Sequence, residues 1–130
     1  LIEFDGRCLQ WDRRRLLEAI VGRENTLCYI SSRNNQIVGY IMARLHEDMV
    51  EIGPLVCLKD TQDSAAQLVK TVLSHLAGWK VFMCLPTKNS DLVEILCETG
   101  LKEEYRLTRM FLGPAVAESC TYIAESIERG

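Results

Sequence analysis

Zinc-ligand spacing is missing from this chain. Its six cysteines, Cys8, Cys28, Cys57, Cys84, Cys97 and Cys120, include no CxxC pair. Structural zinc draws on closely spaced ligand pairs, so a zinc ribbon or finger is excluded. Most of these cysteines sit in apolar stretches (LCYI, LVCL, FMCL, ILCE). They read as buried free thiols of a reducing compartment, which points to the cytoplasm. The two histidines stand apart, His46 in a polar turn and His75 near a helix end, and read as structural or solvated rather than as metal ligands. No apolar run approaches the ~20 residues of a membrane span. The opening LIEFDGRC holds no signal-peptide core, and Leu at position 1 suggests a piece of a longer chain. A basic excess is also missing: the net charge is −3, so no global field draws the chain to nucleic acid. The one dense basic run, Arg13-Arg14-Arg15, runs straight into Leu16 and Leu17 and reads as the wet face of a helix. AES occurs twice in the tail, but so short an echo makes no repeat protein.

What is present is a globular balance. With 130 residues, 48% hydrophobic and 25% charged, the chain reads as a single domain over 1–130 with a real core. Asp12 is placed to cap a helix RRRLLEAIVG that ends at Gly22. TLCYIS and IVGYIMARL, separated by RNNQ, read as a hairpin, and MVEIGPLVCL follows as a third antiparallel strand. At Ser64 the period changes. Ser64-Ala-Ala-Gln67 has capping-box form, Leu68, Val69, Val72, Leu73 and Leu76 recur at helical spacing, and Gly78 stands at the C′ place. VFMCL, ending at Pro86, reads as a short strand buried on both faces, which makes a parallel crossover unit. A second helix is expected over roughly Asp91 to Thr99, stopped by Gly100, and EYRLTRMFL reads as a further strand. The tail AESCTYIAESIERG suits either helix or strand.

An antiparallel meander, a helix, a buried strand, a helix and a closing strand is an order that resembles the GNAT acyltransferase superfamily. In KNSDLVEILCETGL, Asn89 stands eleven residues before Gly100, similar to that family's Asn–helix–Gly-Phe segment with Leu101 in the Phe place. DRRRLL, IVGYIMAR, IGPL, LPTKN and TRMFLG fall in the order of the YitH-type GNAT domain, often the C-terminal half of a tandem protein. The resemblance implies an α/β (α+β) fold, with a mixed, mostly antiparallel sheet of about five or six strands flanked by helices. It implies acetyl-CoA or another acyl-CoA as cofactor and no metal. It also implies a small-molecule or peptide amine as acceptor and a possible second GNAT domain as partner.

The chemistry implied is acyl transfer to a primary amine. The pantetheine arm pairs with the fourth strand of such proteins like an added strand, here at Leu55, Val56 and Cys57. Pro54 cannot donate a ladder bond, so it marks an edge or a bulge where the sheet opens. The pyrophosphate would lie on the helix amides of Ser64, Ala65 and Ala66, with Asn89 nearby. The family's basic residue, Gly and Gly-or-Ala fall here on Asp60, Asp63 and Ala65, a degenerate loop. A helix N-terminus attracts an anion by about 0.3–1 kcal/mol. A carboxylate about 5 Å from a phosphate repels it by roughly 3 kcal/mol at an effective dielectric of ~20. The tyrosine that often protonates the leaving thiolate falls on Leu96, leaving Tyr105 as a weak candidate acid, and Glu51 is the candidate base. Cys57 and Cys84 read as packing residues. The alternative to an active enzyme is a degenerate domain that shapes a cleft or interface for an active neighbour.

Overall fold

The computed structural model describes residues 1–108 and 120–126. Among them are helices α1 (Ile2–Leu9), α2 (Arg14–Val21), α3 (Gln62–Ser74) and α4 (Ser90–Glu98). The strands are β1 (Thr26–Arg33), β2 (Gln36–Leu45), β3 (Met49–Leu58), β4 (Lys80–Met83) and β5 (Cys120–Ile123). The sheet runs β1-β2-β3-β4, with β5 also on β3. Among the described residues only the β3–β4 ladder is parallel, so the sheet is mixed and mostly antiparallel, as expected.

The meander forms where the sequence places it. Asn34 and Asn35 both take positive φ, 50° and 60°, the backbone a two-residue hairpin turn needs to match strand twist. Strand alternation sorts β2 and β3 onto two cores. Ile41, Ala43, Ile52, Leu55 and Cys57 face α3 and α4, where they meet Leu68, Val69, Val72, Leu92 and Leu96. Tyr40, Met42 and Val56 face α1 and α2, where they meet Phe4, Cys8, Leu17 and Ile20. Helices on both faces explain why these strands read as continuous apolar runs. Each fully buried aliphatic side chain contributes about 1.5–3 kcal/mol.

A second, polar attachment holds the α1 side. Buried Asp5 accepts from the Tyr40 hydroxyl and from Arg13, whose Nη2 and Nε lie 2.5 and 3.1 Å away. Burial pushes the Tyr40 phenol far above its ordinary range, so it stays a donor.

Several boundaries move. α1 was not anticipated; its only periodic signal is Leu1, Phe4 and Cys8. Asp12 does receive the Arg14 amide, at 2.9 Å, although α2 opens one residue after Arg13. α3 begins at Gln62, not Ser64, because a 3₁₀ turn at Lys59–Thr61 leads straight out of β3. Thr61 is its N-cap residue and makes no side-chain cap bond, so the Ser64 capping box does not form. α3 also ends at Ser74, before Gly78, with His75 as its cap. α4 ends as expected, with Gly100 at φ 94°. β4 stops at Met83 and is only partly buried. Glu104–Thr108 carries no regular structure, and the rest of the expected strand EYRLTRMFL lies outside the described residues. The ambiguous tail contributes a strand, β5.

Candidate functional site

The site is organised by one irregularity in β3. Ile41 pairs with Leu55 and Ala43 with Ile52, so Gly53 and Pro54 together oppose Met42. Two residues against one is a β-bulge, and it re-aims the strand. Before the bulge, Met49–Ile52 run parallel to Lys80–Met83 of β4. After it, β3 no longer pairs with β4. The far half, Leu55–Leu58, instead pairs antiparallel with β5. The partners are Leu55 with Ile123, Val56 with Tyr122, and Cys57 with Thr121. The opening expected at Pro54 is present, and a segment of the same chain stands in it.

At the mouth of this opening the N-terminal ends of α3 and α4 border one cavity of about 350 Å³. Lys59, Asp63, Ala65, Lys88, Asn89 and Thr121 are among its lining residues. Because the 3₁₀ turn runs straight into α3 at Gln62, the first-turn amides without an i−4 partner inside the helix that remain for a ligand are those of Asp63 and Ser64. Ala65 and Ala66 lie deeper in the helix, both buried. Asp60 and Asp63 are exposed, and only Asp63 lines the cavity. Lys59 and Lys88 put positive charge at this mouth, and Asp63 and Asp91 line it too, so its formal charges balance. The signal of the two lysines in the sequence was adjacency: Lys59 touches Asp60 and Lys88 touches Asn89. Asn89 sits at the N-cap of α4, and its side-chain amide donates to the Tyr122 carbonyl at 2.9 Å.

The other candidates are dispersed. Glu51 lies before the bulge, with its carboxylate on Arg44 at 2.7 Å and His46 Nε2 4.0 Å away. Arg44 also holds buried Glu125 through an ion pair and donates to the Glu125 carbonyl at 2.8 Å. This Arg44–Glu51–Glu125 cluster escaped the sequence reading, because nothing local links Arg44 to a residue so far along the chain. Leu96 is buried in the α3–α4 core. Tyr105 is 54% exposed, in a stretch without regular structure, and is not among the residues that line the cavity. Burial, then the neighbouring Cys120 and Cys8 thiols, push the Cys57 thiol up to about 12. It therefore stays a neutral packing group rather than a nucleophile. Among the described residues no group of three His, Cys, Asp or Glu could hold a metal, and no helix is long and apolar enough to cross a membrane.

The family described as acetyltransferase (GNAT) domain matches residues 1–123. The chain belongs to this family. No curated protein and no solved structure matches it. GNAT domains move acyl groups from acyl-CoA to amines. In this GNAT domain the strand edge beyond the bulge is occupied by β5.

Proposed function

We propose that this GNAT domain is an acyl-CoA-dependent N-acyltransferase acting on a primary amine. On this reading it is a YitH-type domain of a cytoplasmic tandem protein, with a second GNAT domain beside it. The observation that carries the proposal is the parting of β3 and β4 at the Gly53-Pro54 bulge, with a cavity bordered by two helix N-termini at the far end of β3. Bound there, acyl-CoA supplies a thioester carbonyl open to attack by an amine. The polar end fits in part: the α3 amides, Lys59 and Lys88 would hold a pyrophosphate against the opposing charges of Asp63 and Asp91. The edge of Leu55–Cys57 would take the arm, and it fits only with β5 displaced. Glu51, released from Arg44, would accept the amine proton. With Leu96 in the tyrosine place and Tyr105 away from the cavity, the leaving thiolate takes its proton from solvent. Such an enzyme is slow, since a positioned acid is worth about 10²–10⁴ in rate.

A second reading is favoured by β5 itself: a noncatalytic domain whose cofactor edge has become part of its own sheet, lending shape to an active neighbour. Calorimetric titration with acetyl-CoA separates the two. Binding tighter than about 100 µM, roughly 5.5 kcal/mol, supports the enzyme. No binding at millimolar ligand, with β5 loosened as well as in place, leaves the second reading. Asp60→Arg should tighten acetyl-CoA binding several-fold, because it replaces a repelling charge with an attracting one beside the α3 terminus. An unchanged affinity would mean that position 60 faces away from the bound phosphates.

A further inference from the structure

β5 occupies the opening in the manner of an extended ligand. On one side it completes the ladder with Leu55–Leu58. On the other it meets the chain leaving β4. The Ala124 amide donates to the Cys84 carbonyl at 2.7 Å, and Asn89 donates to the Tyr122 carbonyl at 2.9 Å. Beyond the strand, Arg44 clasps Glu125 by side chain and main chain. The strand crosses directly over the bulge: a Cβ on Gly53 would lie 2.0 Å from the Ala124 carbonyl oxygen. Its first residues also form part of the cavity wall.

We propose that residues 120–126 are an autoinhibitory strap, which competes with the pantetheine arm of acyl-CoA for the edge of Leu55–Cys57 and must leave before the cofactor binds. The inference rests on the acyl-CoA reading above. Strap and arm are both extended chains with amides spaced to pair with a strand, so exchanging one for the other conserves hydrogen bonds. Apolar burial is not conserved. Tyr122, Ile123 and Ala124 are 3%, 0% and 4% exposed, so the closed form dominates the free protein. Apparent affinity falls by the fraction of molecules that are open. Two core side chains of this size set that factor at ~10² or more. The strap thus acts as a threshold: acyl-CoA engages when its concentration is high, or when something else takes up residues 120–126.

The test uses the full chain and two variants that loosen different anchors, Glu125→Ala at the Arg44 clasp and Ile123→Ala in the core. Each is checked for cooperative unfolding and then titrated with acetyl-CoA by calorimetry. Whichever variants fold should bind at least ~10-fold tighter than the parent. A synthetic peptide of residues 120–126 should reverse that gain. Hydrogen exchange on a binding form should speed at residues 121–124 when acetyl-CoA is added. Binding by the parent and the folded variants with equal affinity, or with undiminished protection at 121–124, overturns the strap and leaves the acyltransferase reading standing. No binding by the parent or by any folded variant overturns both.

Discussion

Gly53→Ala should lower stability by about 3 kcal/mol or more, read as a fall in the urea midpoint at unchanged slope. Two costs combine. The residue has φ 155°, a region L side chains rarely adopt. The added methyl would also lie 2.0 Å from the Ala124 carbonyl oxygen, 3.1 Å from its carbon and 3.2 Å from the Glu125 oxygen. These are backbone atoms, so relief requires β5 to move as a unit. Gly78→Ala is the control. Its φ is also positive, 86°, but nothing lies within 4 Å of its Cβ. It should lose only the conformational part, about 1–2 kcal/mol. Equal losses at the two positions would mean that β5 does not rest on the bulge.

Arg44→Ala is the second large effect, an expected loss of about 3–5 kcal/mol. The side chain joins Glu51, the Glu125 carboxylate and the Glu125 main chain, and Glu125 is 1% exposed. Removing the guanidinium leaves that carboxylate buried without a counter-charge, and the desolvation already incurred is no longer offset. Lysine should restore only part, since a single ammonium cannot reproduce a fork that reaches several acceptors. The double change Arg44→Leu with Glu125→Leu should recover much of the loss, because no buried charge remains and Glu51 keeps partial access to water. Denaturation of the single and double variants gives the coupling directly. A loss below about 1 kcal/mol for Arg44→Ala would show that the cluster is hydrated rather than buried.

Patterns that repeat over short distances were legible in the sequence. The meander followed from strand formers around Arg33-Asn-Asn-Gln36, and α3 from Leu68, Val69, Val72 and Leu76. Pro54 announced the bulge, since a residue without an amide hydrogen cannot complete a ladder. What failed depends on partners distant in the chain. Ser64 looks like a cap until the turn at Lys59–Thr61 starts the helix early. α1 is short, and its direction is set by a contact from Asp5 to Tyr40 that no local window contains. The tail resisted assignment because CTYIAES is apolar on both faces, which suits a helix or a strand buried on two sides. Only the gap left by β3 and β4 decides between them. The site followed the same division. The bulge was foreseeable and the α3 terminus nearly so, and Lys88 was signalled only by its neighbour Asn89, whereas Glu125 reaches its place through tertiary structure alone.

β3 pairs with β2, β4 and β5, and those three partnerships close loops of very different length. The hairpin partners are neighbours in sequence, while Leu55 and Ile123 lie 68 residues apart (123 − 55). Loop closure is cheapest for the shortest loops, so the order of assembly should run from the meander, through the α3 crossover, to β5 last. Substitutions at Tyr122 or Ile123 should then speed unfolding and leave the folding rate nearly unchanged, whereas those at Ile41 or Leu55 should slow folding. A folding rate that falls as steeply for Ile123→Val as for Ile41→Val would reverse that order. On that order, the domain acquires its cleft before its last strand closes over it.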